Sequence, residues 1–580
     1  MHTGYPPFPG GRTQVRIGVY VCHCGRNIAG TVNVAEVAEY AGKIPNVVIA
    51  RDYRYVCSDP GQDLIKNDIA KLQLDRVVIA SCTPTMHQAT FMNNVQKAGL
   101  NPYCLERANI REQCSWVHAD MNVATAKAKS LITAALARVS LSNALVASEV
   151  QVTPAALVIG GGISGIQAAL DISNSGFKVY LVEKEDKLGG NLLRLNKTFP
   201  TMESVPGIIN AKLEQLKDIP NIEVLTGTEV SSVSGYIGNF KVKVKQKAGE
   251  ESELEIGTII VATGFEAFDA KLKPELGYGA YPNVLTALEL EQMASLSGPT
   301  GGKILIGGKE PKNIVLIQCV GSRDKTVGVE YCSRVCCMFT AKQAAYLREA
   351  LPDAKITICY IDVRAFGKGH EQFHERVQRS GVVYRRGAVS EIYKKGDKAV
   401  VRAEDSLIGE IYEEEADLVV LATGLRPSPT AAEIAKTLNI SLGADGFFLE
   451  AHPKLGPVET TTDGIYIAGC AAGPKDITDS ISQAHAAAIK ASIPMFRGMV
   501  KREPLVAQID EGVCAGCRLC ENICEYGALV FDDERKVMTV NQALCRGCGA
   551  CSGTCPSGAN QLRNTAKRQI FEMIDILVGS

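Results

Sequence analysis

The chain has 580 residues, 46% hydrophobic and 22% charged, which is enough apolar material for roughly three to five domains. Its formal net charge of −1 argues against nucleic acid or an anionic membrane as the main partner. Twenty cysteines, grouped at metal-ligand spacings, predict a reducing cytoplasmic location rather than a disulfide framework. Residues 1–14 lack the pattern of a signal peptide and are expected to form a disordered arm, and no transmembrane span is predicted.

Residues 15–150 predict an N-terminal α/β domain, with strands near 16–20 and 77–80 and a helical tail over 121–145. Five of its cysteines lie at the ends of predicted elements, each beside Gly, Pro or Ser: Cys22, Cys24, Cys57, Cys82 and Cys114. Four thiolates would hold one [4Fe–4S] cluster and leave one cysteine spare. A zinc site, with His23 and His118 as further candidate ligands, is the alternative. Cys104 is expected to be a plain core residue.

A glycine-rich loop follows a short apolar strand at 157–159 and precedes a helical pattern. In it, Gly160 permits the tight turn, Gly162 lets a pyrophosphate approach the backbone, and Gly165 lets the helix pack on the strand. A second strand over 178–182 ends at Glu183, which is expected to accept hydrogen bonds from adenosine ribose hydroxyls. Lys184, the next residue, is assigned to the same site. Together these offsets predict a dinucleotide-binding domain.

Later motifs favour FAD over NAD as the dinucleotide. They are Gly190-Asn191 after the acid, Val230 in a later strand, Thr263-Gly264 in an A-T-G turn, and Gly469-Cys470 before a helix near Ile477. This series resembles the two-dinucleotide-domain flavoproteins of the thioredoxin reductase class, which implies that residues 151–310 and 426–500 form one FAD-binding domain. In that class an Asp holds the ribityl chain where this chain has Cys470, so that contact is in doubt. Backbone N–H groups near Ile477 are expected to face the flavin pyrimidine ring.

Between those segments, residues 311–425 predict a degenerate NAD-type domain. A strand over 313–317 is followed by Gln318-Cys319 rather than by a glycine fingerprint, and the redox-active C-x-x-C dithiol of the same class is absent. We therefore expect no direct reaction with NADH or NADPH. Four cysteines in this domain could hold a further cluster, with buried structural cysteines as the alternative: Cys319, Cys332, Cys336 and Cys337. We call this set the four-cysteine site.

The same domain contains His370-Glu371-Gln372-Phe373-His374, which spells the H-E-x-x-H signature of zinc proteases. No third ligand pattern follows, and the motif lies inside a decayed nucleotide domain. We interpret it as a chance match.

The C-terminal segment, residues 501–580, carries two consecutive ferredoxin-type runs. In such runs three cysteines bind one [4Fe–4S] cluster and the fourth binds the other cluster. The predicted ligand sets are Cys514, Cys517, Cys520 and Cys555 for one cluster, and Cys545, Cys548, Cys551 and Cys524 for the other. A pair of zinc sites is the alternative, but zinc rarely takes triple knuckles with a fourth cysteine at this spacing. The sequence therefore predicts an α+β ferredoxin domain that carries single electrons.

Six segments from residue 15 onward look like the A-type polypeptide of heterodisulfide reductase: YVCHCGRNIAG, YVCSDPGQ, ASCTPTMHQATF, NIREQCSWVH, QCVGSRD and YCSRVCCMFTAKQA. The resemblance implies a flavin-containing, electron-bifurcating oxidoreductase component of the CoB–CoM heterodisulfide reductase type. It implies that the four-cysteine site ligates a non-standard [4Fe–4S] cluster beside the flavin. It also implies that Lys342 lies near flavin N5, where a fixed cation would stabilise reduced flavin. The alternative for Lys342 is an ordinary exposed helix lysine.

The expected cofactors are therefore one FAD and four [4Fe–4S] clusters. The expected partners are heterodisulfide reductase B- and C-like subunits, ferredoxin, and a [2Fe–2S], hydrogenase- or formate dehydrogenase-type donor module, with a homodimer inside the larger complex. Two rival functions remain: a non-bifurcating flavin and iron–sulfur wire, as in a quinone-interacting complex, and an electron-transfer scaffold with little catalysis of its own.

Overall fold

The computed structural model describes residues 15–396 and 398–579, so the predicted arm at 1–14 lies outside it. The chain forms two compact units. The first runs up to Glu149 and resumes at Lys501, and the second spans Val150–Val500. The N-terminal and ferredoxin parts, which the sequence analysis treats as separate domains, thus belong to one unit. Every helix in the described part of the chain is too short or too polar to cross a membrane.

A four-stranded parallel sheet with strand order β2-β1-β3-β4 forms the N-terminal part of the first unit. Strands β1 and β3 are buried along their whole length, as expected for apolar runs covered by helices on both faces. The strands are β1 (Ile17–Cys22), β2 (Val47–Tyr53), β3 (Arg76–Ser81) and β4 (Leu105–Asn109); the helices are α1 (Val34–Gly42), α2 (Asp59–Leu72), α3 (Gln88–Lys97) and α4 (Met121–Ser140). The predicted α/β domain is present, and its last helix ends five residues before the predicted boundary.

The second unit begins with the FAD-type domain. A five-stranded parallel sheet, β23-β12-β6-β7-β8, is accompanied by the antiparallel sheet β11-β10-β9. After β5 (Ser148–Gln151), the elements in chain order are β6 (Ala155–Ile159), α5 (Ile163–Asn174), β7 (Lys178–Val182), α6 (Val205–Lys217), β8 (Ile222–Leu225), β9 (Thr228–Tyr236), β10 (Asn239–Gln246), β11 (Glu251–Ile256), β12 (Thr258–Val261) and β13 (Phe265–Ala267).

The NAD-type domain repeats this plan, with the parallel sheet β14-β21-β15-β16-β17 and the antiparallel sheet β18-β19-β20. Its elements are β14 (Val284–Thr286), α7 (Ala287–Met293), β15 (Asn313–Val320), α8 (Cys336–Ala350), β16 (Lys355–Tyr360), α9 (His370–Arg379), β17 (Val383–Arg386), β18 (Val389–Lys395), β19 (Lys398–Asp405), β20 (Glu410–Ala416) and β21 (Leu418–Thr423). Because β14 pairs with β21, this domain begins well before the predicted boundary at 311. The short β14 has no sequence pattern that distinguishes it from a loop.

The chain then returns to the FAD-type domain. The elements are β22 (Leu425–Pro427), α10 (Ala431–Leu438), β23 (Ile465–Ile467), α11 (Ile477–Arg497) and β24 (Met499–Arg502). Strand β23 pairs with β12, so two segments that are about 200 residues apart in the chain form one sheet, as the sequence predicts.

The ferredoxin part of the first unit is built from two small antiparallel sheets, β25-β28 and β26-β27. Its elements are β25 (Ala507–Ile509), α12 (Leu519–Asn522), β26 (Leu529–Asp532), β27 (Val537–Val540), α13 (Ala550–Thr554), β28 (Asn560–Leu562) and α14 (Lys567–Val578). Asn564 joins it to the N-terminal part. The Asn143 N–H donates to its side-chain oxygen at 2.7 Å, and its amide nitrogen donates to the Asn143 carbonyl at 2.9 Å.

Candidate flavin and iron–sulfur sites

The glycine loop between β6 and α5 has the geometry that a dinucleotide requires. Gly160 has a φ of +110°, and a side chain there would overlap the Ala262 carbonyl. A side chain at Gly165 would overlap the Gly160 carbonyl, which is the close helix–strand packing that was predicted. A Cβ at Gly162, by contrast, would meet nothing within 4 Å. Open space therefore lies at the start of α5, where the helix dipole favours a pyrophosphate.

Glu183 holds this loop from the end of β7. Its buried carboxylate accepts hydrogen bonds from the Gly161 N–H at 2.6 Å and the Glu185 N–H at 2.9 Å. The ribose contact predicted for Glu183 stays a prediction. Its neighbour Lys184 is exposed.

Other predicted flavin residues lie around this loop. A Cβ at Gly190 would lie 3.2 Å from the Gly162 Cα, and the Asn191 amide donates to the Phe265 carbonyl at 3.0 Å. Val230 is half-buried in β9.

The A-T-G turn after β12 contains a buried hydroxyl that lacks a partner. Thr263 Oγ1 has no hydrogen bond to the described part of the chain, and Gly264 beside it has a φ of +70° with open space in front. A buried hydroxyl is costly when it is unpaired, so this turn fits a bound polar group. Together with the open start of α5, it makes the predicted residues fit FAD.

The last flavin motif differs from the thioredoxin reductase pattern as predicted. Gly469 adopts a φ of +67°, and a side chain there would overlap the Ser164 hydroxyl. The Cys470 thiol is buried, and it donates to the Lys475 carbonyl at 3.3 Å. Burial raises the pKa of Cys470, so this residue is a neutral donor where the related enzymes have a carboxylate. Helix α11 begins at Ile477, as predicted, with Asp476 as its cap.

The four-cysteine site lies at the carboxyl end of β15. Cys336 and Cys337 are the first residues of α8, and they share a small buried cluster with Cys319. Cys319 has a φ of +62°, a conformation that is uncommon outside functional sites. Cys332 is half-buried, and its Sγ accepts from the Arg334 N–H at 3.3 Å. The thiols thus gather where a dinucleotide fold seats its pyrophosphate.

Contacts among these thiols separate them from inert core cysteines. Hydrogen bonding with Cys336 lowers the pKa of Cys337 to about 7 and lowers that of Cys319. The same two hydrogen bonds raise the pKa of Cys336. Since the thiolate is the form that binds metal, this arrangement favours a ligand set over the structural alternative.

The four-cysteine site touches the flavin motif directly. Val335 packs with Cys470 and Leu425 in one apolar cluster. From the next residue, the Arg334 guanidinium donates to the Pro474 carbonyl at 3.1 Å and pairs with Asp479 at 3.2 Å. The two candidate redox centres therefore share a packed boundary within the second unit.

Lys342, one turn further along α8, is buried with 2% of its surface exposed. The alternative that it is an ordinary exposed lysine is therefore wrong. Its Nζ lies 2.9 Å from Glu291 Oε1 and donates to the Lys197 carbonyl at 2.8 Å. Glu291 is equally buried and also accepts from the Asn196 N–H at 3.0 Å. The sequence analysis missed Glu291 because no motif marks it.

In the ferredoxin part, the cysteines form two groups that coincide with the predicted ligand sets. One cavity is lined by the second predicted set, Cys524, Cys545, Cys548 and Cys551. In the other set, burial raises the pKa of Cys520, and the nearby Cys555 and Cys517 raise it further. Backbone N–H groups donate to sulfur in both groups, at 3.4 Å from Ala507 to Cys545 and 3.5 Å from Met538 to Cys514. Such bonds stabilise thiolates on a cluster.

The N-terminal cysteines separate into four and one. Electrostatic contacts link Cys22 with Cys24 and Cys57, and Cys57 with Cys82. Arg111 donates to Cys24 Sγ at 3.3 Å. Cys114 lies apart, fully buried, and its thiol donates to the Ala124 carbonyl at 3.1 Å. Cys114 is therefore the spare residue, and Cys104 is buried in the core as expected.

Two observations bear on zinc. Across residues 15–396 and 398–579, no three His, Cys, Asp or Glu side chains converge as they would around a single metal ion. A cube differs from such an ion, because each thiolate binds a separate iron. In the H-E-x-x-H segment, the His370 ring packs edge-on against Phe199 at 5.5 Å and the His374 ring against Tyr384 at 4.7 Å.

Comparison with known proteins assigns the class. Residues 154–491 match the family model described as pyridine nucleotide-disulphide oxidoreductase, and residues 513–559 match the 4Fe-4S dicluster domain. The chain is thus an oxidoreductase with a flavoprotein core and an iron–sulfur domain. A thioredoxin reductase from T. acidophilum covers 60% of the chain, and the chain covers 99% of it, at 17% identity and a TM-score of 0.41.

Two curated relatives assign the family. The A-type polypeptide of the H(2):CoB-CoM heterodisulfide,ferredoxin reductase of Methanothermobacter marburgensis is 44% identical over 90% of this chain and 91% of its own length. The A-type iron–sulfur polypeptide of the CoB–CoM heterodisulfide reductase of Methanocaldococcus jannaschii is 43% identical over 97% and 98%. The chain belongs to the HdrA family, the A-type polypeptides of heterodisulfide reductase, which confirms the resemblance drawn from its motifs.

Proposed function

We propose that this protein divides electron pairs at FAD. One electron of each pair goes to ferredoxin at low potential, and the other goes to a disulfide-reducing partner. Bound FAD would supply the chemistry that accepts two electrons and releases them singly. The protein's own part is to hold the flavin, to place one-electron carriers beside it and to set the charge around it.

The contact between the four-cysteine site and the flavin motif carries the proposal. Val335 packs on Cys470, and Arg334 ties the cysteine loop to the start of α11. A one-electron carrier held at this site would lie directly beside the flavin. The cysteines also replace the glycine loop that an NAD(P)H donor would need, which favours another protein as the source of electrons.

We assign one FAD and four [4Fe–4S] clusters to the chain. The clusters are held by Cys22, Cys24, Cys57 and Cys82; by Cys319, Cys332, Cys336 and Cys337; and by the two ferredoxin sets. Lys342 is assigned to the reactive edge of the flavin, because it reaches from α8 to the Lys197 carbonyl in the FAD-type domain and is held there by buried Glu291.

The assembly would contain B- and C-like subunits, a hydrogenase- or formate dehydrogenase-type donor module with a [2Fe–2S] carrier, and ferredoxin, with this chain as a homodimer. Two relatives' names mention H(2) and ferredoxin reductase or ferredoxin dependence. Since all twenty cysteines are free thiols, we place the protein in a reducing, cytoplasmic environment.

The two one-electron midpoint potentials of the flavin test this proposal. They are measured by anaerobic redox titration of the isolated protein, with optical and paramagnetic detection. Division of electron pairs requires that the second electron leave at a much lower potential than the first, so the potentials should be strongly crossed. Ordered or closely spaced potentials would favour the rival function, a plain flavin and iron–sulfur wire.

A further inference from the structure

Two buried hydroxyls near the four-cysteine site have no hydrogen-bond partner in the described part of the chain. They are the Tyr384 phenol on β17 and the Thr340 hydroxyl on α8. Unpartnered buried hydroxyls are rare in native proteins because each has lost its water without replacement. Such a pair beside one site calls for a partner that the protein itself does not supply.

Helix geometry places Thr340 beside the cysteines. It lies four residues after Cys336 and three after Cys337, so the three side chains share one face of α8. Thr340 is fully buried, and its hydroxyl does not bond back to the preceding turn as helical threonines commonly do.

Tyr384 approaches from the neighbouring strand. Its ring packs edge-on against Tyr360 at 5.9 Å and His374 at 4.7 Å, which fixes the ring position. Burial raises the pKa of Tyr384, and charge on Cys337 raises it further, so the phenol lies within electrostatic reach of that sulfur and keeps its proton. Cys337 itself donates to the Asp362 carbonyl at 3.6 Å.

We infer that the Tyr384 and Thr340 hydroxyls donate hydrogen bonds to sulfur atoms of the iron–sulfur cluster held at the four-cysteine site, and that they raise its reduction potential. The inference rests on the proposed function, because it needs the cluster to be bound there. Hydrogen bonds to sulfur favour the reduced, more negative state of a cluster. Each hydroxyl keeps its proton, and the one electron gained at this site is the one lost at the flavin. The site would then be the higher-potential branch, leading to the disulfide-reducing partner.

Tyr384→Phe and Thr340→Val test this, since each removes only a hydroxyl and preserves the shape of the side chain. The holoprotein is titrated with paramagnetic detection, and the relevant signal is identified by its loss in Cys336→Ser. Each variant should retain full iron and flavin while the midpoint of that cluster falls by the equivalent of about a tenfold change in its reduction equilibrium, about 59 mV for one electron. Tyr412→Phe is the matched control, because its hydroxyl bonds to Cys359 at 3.0 Å in a different core cluster.

The outcomes are separable. Wild-type protein without iron at this site overturns the proposed cluster. A loaded wild type whose midpoint is unchanged in both variants overturns the inference alone, and in that case removal of an unpaired hydroxyl should leave thermal stability unchanged or raised. If Tyr384→Phe fails to fold, Thr340→Val decides the question by the same midpoint.

Discussion

The two dinucleotide-type domains share one architecture and differ at a single loop. Both have a five-stranded parallel sheet with an attached three-stranded antiparallel sheet. In the FAD-type domain, three glycines join β6 to α5 within a few residues. In the NAD-type domain, β15 ends at Val320 and α8 begins only at Cys336. The longer connection carries cysteines to the helix start that would otherwise face a phosphate.

The acid after the second strand shows the same divergence. Glu183 accepts from the Gly161 backbone at 2.6 Å and so shapes a loop that is open to a ligand. Asp362 follows β16 at the corresponding place, but its carboxylate accepts from the Arg323 side chain at 2.6 Å. The scaffold therefore determines where a cofactor lies, and the loop chemistry determines which cofactor it is.

Removal of one cysteine should break the comparison most strongly. In Cys336→Ser, iron should fall from about sixteen to about twelve per flavin, because a serine oxygen is a poor replacement for a cluster thiolate. FAD should be retained, since its loop lies in the other domain. Anaerobic iron and flavin analysis measures both. Cys359→Ser is the control, and equal iron in Cys336→Ser and wild type would remove the cluster from this domain.

The buried ion pair should give the next largest effect. Lys342→Met leaves the Glu291 charge unpaired and should cost about 3–5 kcal/mol of stability. It should also shift the flavin potentials, because it removes a fixed cation from the proposed N5 edge. Thermal denaturation and flavin titration measure the two effects. Lys342→Met combined with Glu291→Gln should recover most of the stability but not the potential, and recovery of both would make Lys342 a purely structural residue.

Two glycines sharpen the description of the FAD loop. Gly165→Ala should cost about 1–3 kcal/mol, because its new Cβ overlaps the Gly160 carbonyl. Gly162→Ala meets open space in the protein and should lower only FAD retention. Thermal denaturation with and without added FAD distinguishes them. Equal loss of stability in the FAD-free forms would contradict the role given to Gly162.

The smallest expected effect is none. Stoichiometric NADH or NADPH should leave the flavin absorbance unchanged under anaerobic conditions, because the NAD-type domain lacks the glycine loop that seats a pyrophosphate. Dithionite serves as the positive control. Rapid bleaching by either nucleotide would show that the domain kept its ancestral ligand.

Local patterns in the sequence were sufficient for part of this result. The Gly160–Gly165 loop, the strand ending at Val182 and the two ferredoxin runs each depend on short spacings that are fixed by backbone geometry. The return of the chain to the FAD-type sheet was also predictable, because the A-T-G turn and the motif before Ile477 are themselves local.

Only the tertiary structure decided the rest, because it depends on contacts between distant segments. It separated Cys114 from the other N-terminal cysteines through a hydrogen bond to Ala124, and it placed β14 in the NAD-type sheet. It also paired Lys342 with Glu291, which no motif marks. Spacing identifies a residue type that can bind, but packing between elements determines which of those residues meet.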